Sequence, residues 1–471
     1  MLASEIKKNF VPPRRSTIHF DGKTLTDLAG EVGERLAVVL TGDTEQCQQG
    51  KLLSARKIDD GTGISQANEV VSSLDEWQAR DYIYAQCFDT TSANTGWQRG
   101  AAVKIEESLK RPLLWLPCRH HIGELEVKSA WTAIFGNVDK SPYIQKFKEF
   151  QQTWPQIDQT KFVPLEIEPW MQAKVSEVIE FCKNALQSET VRKDYREALE
   201  LVLKTLDHPP ENFSFKKPGA FNKTRWGANV LYGLKIFGFR FVLKLAKKEQ
   251  KNYQRFAIFA CLFYVKYWHT LPVASDAPIN DLTFYKDMLL FDEKDSDVAQ
   301  AVLNKQCSHT WYMNQEFTPL NLFSSKVDDK TKSKIALKLS KLKSPKTYGS
   351  GQPSAVPISN DKDEGLQYCV SDFVGKGSLF MFDNMKFGRD WLTKPVATWK
   401  NYPSYLEMER YVKTLLVCND PAERGVKLVS DFANCLTKDS KEREYLLQVV
   451  EADRKQKSDT NKSTLFSPFS V

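Results

Sequence analysis

The sequence contains no apolar run long enough to cross a membrane. The longest one, 256–268, is interrupted by Lys266 and falls short of the roughly 20 apolar residues that a spanning helix needs. The first ten residues carry three charges and lack the continuous apolar segment of a secretory signal. We therefore expect no membrane contact and a protein that stays inside the cell.

Cysteine pairs at metal-binding spacing are also missing. The nine cysteines are scattered, and no two of them are separated by two residues as in a zinc ribbon. An odd number of scattered cysteines is typical of reduced thiols in an intracellular compartment. The pattern therefore predicts neither a zinc ribbon nor a disulfide framework.

A large excess of charge of one sign is absent as well. The 66 lysines and arginines against 59 acidic residues give a formal net charge of +7, which is compatible with a phosphate-rich partner but does not demonstrate one. Hydrophobic residues make up 41% and charged residues 27%, as in ordinary globular proteins. A chain of 471 residues is long enough for about two to three domains, each with its own core.

The first part of the chain, 16–136, alternates between strand and helix patterns. Short β-prone runs, most of them ending at turn residues, predict five strands at 16–20, 35–40, 52–57, 82–88 and 113–116. Apolar residues recur at three-to-four-residue spacing over 67–77, which predicts an amphipathic helix between the third and fourth strands. A second helix is predicted at about 96–109. The order β-β-β-α-β-α-β predicts an α/β sheet domain.

The longer middle part, 137–409, is rich in Lys, Glu, Leu and Phe and has few strand signals, so it predicts a mostly helical domain. Within it, 326–362 begins with eight lysines and continues into a Gly- and Ser-rich run, which predicts a mobile loop.

The two ends of the chain carry weaker patterns. Two more helices are predicted at 405–418 and 426–450, and residues 1–15 and 453–471 are expected to be an N-terminal tail and a disordered C-terminal tail. The composition therefore indicates an α/β part, an all-α part and a further segment, 410–452, near the C-terminus.

Two aspartates each follow a predicted strand: Asp21 follows the first and Asp89 the fourth. Carboxylates at neighbouring strand ends can converge, and Mg²⁺ binds oxygen ligands and shares protein carboxylates with substrate phosphates. Two such ions about 3.5 to 4 Å apart can activate water and stabilise the leaving oxygen in phosphodiester cleavage. The alternative is that each aspartate only starts a turn, since the residues that follow are good turn formers.

Glu423 has a structural alternative of its own. In the run Asp420-Pro421-Ala422-Glu423, Asp420 can cap a helix, Pro421 fits its first turn and Glu423 falls at the reciprocal capping-box position. The local sequence alone therefore predicts a helix cap at this place.

Several short motifs follow one another in a defined order. They are Ile18-His19-Phe20-Asp21, Phe88-Asp89 with Asn94, Cys118-Arg119-His120-His121, Arg225-Trp226 and Glu423-Arg424. Each is common by itself, but their shared order, with a helical insertion before the last acid, resembles the hAT superfamily of cut-and-paste DNA transposases. The resemblance covers most of the chain.

This resemblance implies a fold and an activity. The fold is an RNase H-like mixed sheet interrupted by a large helical insertion domain, so that 16–136 and 410–452 meet in space. Asp21, Asp89 and Glu423 are then the catalytic residues and hold two Mg²⁺ or Mn²⁺ ions for cleavage at transposon ends and strand transfer, in which the protein mainly positions groups and neutralises charge. The implied partners are DNA at transposon ends and target, and further copies of the chain, and the implied location is the nucleus.

The remaining motifs have two interpretations each. The resemblance implies that Arg225 and Trp226 bind DNA, with Trp226 stacked on a displaced base, whereas an isolated tryptophan is ordinarily a core residue. Cys118 and His121 lie one helical turn apart, but a closed zinc site needs four ligands and no second pair is present, so a structural motif is expected. The lysines of 326–346 could follow a DNA backbone or form a solvated loop.

The sequence departs from the family pattern at two places. Only twenty residues precede Asp21, so the zinc-finger region that usually comes before the catalytic fold is expected to be missing, and the spacing from Asp89 to Asn94 is one residue longer than the commonest pattern. Two rival hypotheses are therefore a catalytically silent, transposase-derived protein that binds DNA or protein, and an RNase H-like nuclease that acts on another nucleic acid.

Overall fold

A computed structural model describes residues 2–26, 32–136, 144–188, 192–219, 226–353, 358–359, 361–432 and 439–456. The strands are β1 Ser16–Thr26, β2 Val32–Thr41, β3 Lys51–Ile58, β4 Ile83–Phe88 and β5 Leu114–Pro117. The helices up to residue 238 are α1 Leu2–Lys8, α2 Gly63–Glu76, α3 Ser92–Thr95, α4 Ala101–Leu109, α5 Arg119–Phe135, α6 Gln145–Thr153, α7 Gln172–Leu186, α8 Lys193–Thr205 and α9 Trp226–Gly238. The later helices are α10 Lys247–Phe259, α11 Val265–Thr270, α12 Ala277–Phe291, α13 Ser296–Cys307, α14 Asp329–Ser340, α15 Lys362–Gln367, α16 Phe380–Asn384, α17 Pro403–Thr414, α18 Asp420–Phe432 and α19 Ser440–Gln456.

The five strands form one mixed sheet in the order β3-β2-β1-β4-β5. β2 is antiparallel to β1 and to β3, whereas β1, β4 and β5 run parallel to one another. The parallel connections cross over through helices, as parallel pairs require, while β1, β2 and β3 follow one another directly. The prediction of five strands in one α/β sheet part and of a mainly helical remainder is confirmed at this level.

The two faces of the sheet are covered by different parts of the chain. Side chains alternate between the faces of a strand, and on β1 and β2 one set packs with α2 and α4: Ile18, Phe20, Leu36, Val38 and Leu40. The opposite set includes Ala37 and Val39, which pack with Val426 of α18 and Leu447 of α19. On β4 and β5 the same face carries Cys87 and Leu116, which belong to the large core of the helical part. Both parts of the protein therefore meet on one face of the sheet.

Some predicted bounds need correction. The helix predicted at 96–109 begins only at Ala101, because α3 ends at Thr95 and a turn separates it from α4. The single helix predicted at 426–450 is two helices, α18 and α19. The expected N-terminal tail contains α1, which packs against α19, and Phe10 packs edge-on against Trp77 with ring centroids 5.2 Å apart. Of the expected tail 453–471, the first four residues belong to α19 and 457–471 lie outside the described residues.

The predicted loop 326–362 was wrong for its first half. Residues 329–340 form α14, which Ile335, Ala336 and Leu339 anchor through buried side chains. Four lysines occupy other positions of this helix, and one of them, Lys338, donates to the carbonyl oxygen of Ser371 at 2.6 Å. The many lysines made the segment look like a solvated loop, although its apolar residues recur at the spacing of an amphipathic helix. In the part of the chain that the structure describes, no helix is both long and apolar enough to cross a membrane.

Candidate functional site

Asp21 and Asp89 occupy matching positions on neighbouring parallel strands. The pairing of β1 with β4 ends at His19 opposite Cys87, and each aspartate lies two residues further along its own chain. Residues two apart point to the same face, and neighbouring strands lie about 4.8 Å apart, so the two carboxylates emerge side by side where β4 stops.

The sequence predicted that Asp21 follows the end of the first strand, but in the structure Asp21 lies within β1. β1 continues to Thr26 because it pairs with β2 along that whole length, and Asp21 lies opposite Ala37. The predicted length of β1 was therefore wrong, but Asp21 does lie just beyond the end of the β1–β4 pairing. Asp21 therefore still lies beside the residue that follows β4.

The electrostatics of Asp21 connect it to both other predicted catalytic residues. Burial raises the pKa of the Asp21 carboxyl to about 7, and the negative charges of Asp89 and Glu423 also act to raise it. Charges act on a pKa in this way from nearby positions, although the Glu423 side chain is exposed. We call these three residues, which are far apart in the sequence, the carboxylate triad: Asp21, Asp89 and Glu423.

Asp89 is held in place by its own loop. Its Oδ1 accepts hydrogen bonds from the backbone N–H of Thr91 at 3.2 Å and from its hydroxyl at 2.7 Å. Asn94, from α3, donates its Nδ2 to the same oxygen at 2.5 Å. The turn that the sequence suggested as an alternative is therefore present and fixes the carboxylate. Among the described residues, its donors contact Oδ1 and leave the second oxygen, Oδ2, for another ligand.

Glu423 lies in the first turn of α18, whose start differs from the predicted cap by one residue. The backbone N–H of Glu423 donates to the carbonyl oxygen of Asn419 at 3.1 Å, so Asn419, and not Asp420, is the N-cap. Asn419 also donates its Nδ2 to the carbonyl oxygen of Phe20 at 2.9 Å. This bond ties the start of α18 to β1 beside Asp21. Glu423 therefore lies one position beyond the capping-box site and near the other two acids.

The Asp420 side chain makes a different contact. Its Oδ1 accepts a hydrogen bond from His120 Nδ1 at 2.8 Å, and Arg192 lies 3.7 Å from its other oxygen. Burial, the largest influence, acts to raise the pKa of Asp420, but the bond from His120 and the charge of Arg192 outweigh it and lower the pKa. The His120 ring stacks on Trp268 at 4.4 Å. Through Arg192 and through His120, which stacks on Trp268, the helical part of the protein is thus connected to the helix that carries Glu423.

Cys118 and His121 lie next to the carboxylate triad. The Cys118 N–H donates to the carbonyl oxygen of Phe88 at 2.7 Å, and its Sγ accepts from the N–H of Asn419 at 3.1 Å. Burial lowers the pKa of His121, and the charge of Asp89 acts in the opposite direction. The contacts of Cys118 join the ends of β4 and β5 to α18, and the structural role of the two residues stays a prediction.

The donor type of the carboxylate triad fits a divalent cation. A buried carboxyl that keeps its proton beside other acids would gain from a Mg²⁺ or Mn²⁺ ion in place of that proton. In the described ranges no three His, Cys, Asp or Glu side chains form a preassembled metal cage. The charges interact without a finished cage, which is compatible with Mg²⁺ because it usually completes its coordination with water and substrate phosphates.

Trp226 is a core residue in this structure. It begins α9, is 5% exposed, stacks on Trp268 with centroids 4.5 Å apart, and meets Tyr195 edge-on at 5.4 Å. This is the arrangement that the structural alternative describes, whereas stacking of Trp226 on a displaced base stays a prediction. The predicted DNA-binding residue Arg225 lies outside the described residues.

One residue and one contact of the site escaped the sequence interpretation. Asn419 was missed although asparagine shortly before a proline is a common N-cap signal, because Asp420 offers the same signal one position later. The partner of His120 could not be found from the sequence, since Asp420 lies 300 positions away.

The raised pKa of Asp21 predicts a measurable dependence of stability on pH. In the folded chain the carboxyl keeps its proton up to about pH 7, whereas in the unfolded chain it loses the proton near pH 4. The folded state binds more protons in this interval, so the stability falls as the pH rises from about 4 to about 7. In EDTA, Asp21→Asn should therefore melt above the wild type by a margin that grows over this interval and is constant above it.

Melting temperatures across the pH series, with the exposed Asp81→Asn as the control, measure that margin. Adding Mg²⁺ at pH 8 should raise the melting temperature of the wild type and leave Asp21→Asn unchanged. A margin that is the same at pH 4 and pH 8 would contradict the raised pKa.

Comparison with known proteins leaves the family of the chain open. No protein-family model and no curated protein sequence matches it. The function of this site must therefore be inferred from its own residues and geometry.

Proposed function

We propose that this protein is a metal-dependent endonuclease of the RNase H-like transposase type, which cleaves DNA at transposon ends and transfers the freed strand. One observation carries the proposal: Asp21 and Asp89 emerge side by side from the parallel pair β1–β4, and the hydrogen bond from Asn419 to Phe20 holds the start of α18, with Glu423, beside them. These are the same three residues that the order of motifs along the sequence singles out.

The architecture supports the proposed fold. The sheet order β3-β2-β1-β4-β5, with only β2 antiparallel, is the arrangement expected of an RNase H-like sheet. The described helices between α5 and α18 would be the insertion domain, and α18 and α19 return to pack on β1, β2 and β3. This places the last acid next to the first two.

Each residue of the carboxylate triad would have a distinct task. Asp89, fixed by Thr91 and Asn94, would offer its free oxygen to a cation, and Asp21 beside it would bind after losing its proton. Glu423 would complete the set from the start of α18. When bound, Mg²⁺ or Mn²⁺ supplies an activated water and neutralises charge on the scissile phosphate.

The partners follow from the proposed reaction. They are DNA at the transposon ends and at the target, and further copies of the chain, and the place of action would be the nucleus. The net charge of +7 agrees in sign with a phosphate-rich partner.

A cleavage assay with the purified full chain tests the proposal. The substrates are end-labelled duplexes from the DNA that flanks its gene, an unrelated duplex and an RNA–DNA hybrid, each with Mg²⁺, Mn²⁺ or EDTA. We expect nicking of the flanking DNA with either metal and none in EDTA. Preference for the hybrid would indicate a different nuclease, and metal-independent binding without any cleavage would indicate a silent, transposase-derived binding protein.

A further inference from the structure

Trp97 is the most exposed of the large apolar side chains in the described residues, with 74% of its surface accessible. Its neighbours Gln98 and Arg99 are exposed as well. Single exposed apolar residues are normal on protein surfaces, but tryptophan is the largest of them and is enriched where proteins bind other molecules. Whether the exposed Trp97 ring is suited to bind another molecule therefore depends on where it lies.

Trp97 lies at the same edge of the sheet as the carboxylate triad. It follows Asn94 by three residues, and Asn94 donates to the Asp89 carboxylate at 2.5 Å. Three residues span at most about 11 Å even when fully extended. The indole ring is thus within the reach of a nucleic-acid strand whose phosphate lies at Asp89.

The turn that carries Trp97 is held firmly. The N–H of Gly100 donates to the carbonyl oxygen of Gly96 at 2.8 Å and closes the turn. The turn packs on Gly63 at the start of α2 so closely that a Cβ there would lie 2.3 Å from the carbonyl oxygen of Arg99. Trp97 is therefore presented on a fixed support, which lowers the entropic cost of binding through it.

The charge beside Trp97 favours a nucleic acid over an apolar protein surface. Arg99 is exposed, and within the described part of the chain it forms no ion pair. An aromatic ring and a basic side chain two residues apart on one exposed turn offer the two kinds of contact with which proteins bind unpaired bases and their phosphates. Trp226, in contrast, has one ring face covered by Trp268.

We propose that Trp97 stacks on an unpaired base of the DNA strand whose phosphate occupies the carboxylate triad, while Arg99 binds a neighbouring phosphate. The inference rests on the proposed function and extends it by naming the residue that holds the strand beside the cleavage site. It also assigns to Trp97 the base contact that the family resemblance suggested for Trp226.

Binding of labelled DNA in EDTA tests this contact without cleavage. The probes are a duplex with a single-stranded overhang that contains 2-aminopurine and the same duplex with blunt ends. Stacking on one base is sequence-tolerant, and its loss should weaken binding of the overhang duplex about tenfold in Trp97→Ala. Trp97→Phe should keep most of the affinity, and the 2-aminopurine fluorescence should be quenched by the wild type and not by Trp97→Ala.

Two further variants complete the test. Phe241→Ala removes another exposed aromatic ring, 54% accessible and on the helical part, and should bind like the wild type. Arg99→Ala should weaken both probes and reduce the salt dependence of binding by about one phosphate contact. Because Trp97 is exposed, its replacement should leave the melting temperature unchanged.

The outcomes separate this inference from the proposed function. Equal affinity of wild type and Trp97→Ala for the overhang duplex overturns the stacking role, whether or not the wild type cleaves DNA. A Trp97-dependent affinity in a protein that cleaves nothing with Mg²⁺ or Mn²⁺ supports the stacking role and contradicts the proposed nuclease.

Discussion

Asp89→Asn is expected to reduce metal-dependent DNA cleavage by at least about a hundredfold without unfolding the protein. A metal ion at a transferring phosphate contributes several kcal/mol of transition-state stabilisation, and each 1.36 kcal/mol corresponds to a factor of ten in rate. Asparagine keeps the oxygen that accepts from Thr91 and removes only the charge. The variant therefore separates the proposed role of Asp89 as a metal ligand from its role in the turn.

Single-turnover cleavage rates of the wild type and the variant, with Mg²⁺ and with Mn²⁺, measure the effect. Asp81→Asn, an exposed aspartate near the other end of β4, is the matched control and should cleave at the wild-type rate. Glu423→Gln should resemble Asp89→Asn. If Asp89→Asn cleaves as fast as Asp81→Asn, Asp89 does not belong to the site.

Asp281→Ala is expected to cause the largest loss of stability, about 3 to 5 kcal/mol, because it leaves a buried charge without its partner. Arg119 is 1% exposed, forms an ion pair with Asp281, and donates Nη1 to the carbonyl oxygen of Leu271 at 2.7 Å. Tyr267 donates its hydroxyl to the same Asp281 oxygen at 3.1 Å. None of these groups can reach bulk water when the carboxylate is removed.

Guanidinium-induced unfolding compares Asp281→Ala with Asp75→Ala. The latter breaks the pair between Arg80 and Asp75, whose charged groups are 3.0 Å apart and whose side chains are 39% and 50% exposed, and it should lose less than about 1 kcal/mol. A loss in Asp281→Ala no greater than in this surface variant would contradict the importance of the buried pair.

Asp281→Ala should also disturb the carboxylate triad. The backbone N–H of Arg119 donates to the carbonyl oxygen of Val417 at 3.0 Å, two residues before Asn419 caps the helix of Glu423. Movement of Arg119 would therefore shift the segment that positions the third acid. Reduced cleavage by Asp281→Ala at temperatures below its unfolding transition would report this connection.

The strands were predictable because their signals are local. Apolar runs that end at turn residues give β2 to β5 within a few residues, and the position of Asp89 after a buried strand follows directly from them. The extension of β1 past Asp21 was not predictable, because Gly22 and Lys23 are poor strand formers that remain in the strand only through pairing with β2.

The assembly of the site was beyond local patterns. Nothing near Glu423 indicates that it meets Asp21, and its place could be expected only from the order of motifs along the chain. The burial of Trp226 likewise depends on Trp268 and Tyr195, which belong to other helices. For α14 the sequence did contain the answer, but Ile335, Ala336 and Leu339 were hidden among lysines.

The bond from Asn419 to Phe20 has a consequence for protein synthesis. It joins residues 399 positions apart and helps to fix the start of α18 beside β1. At about 5 to 20 residues per second, roughly 20 to 80 s of translation separate the two ends of this bond. For most of that time the growing chain holds both aspartates but not the third acid. The ribosome must therefore have reached α18 before the carboxylate triad can exist.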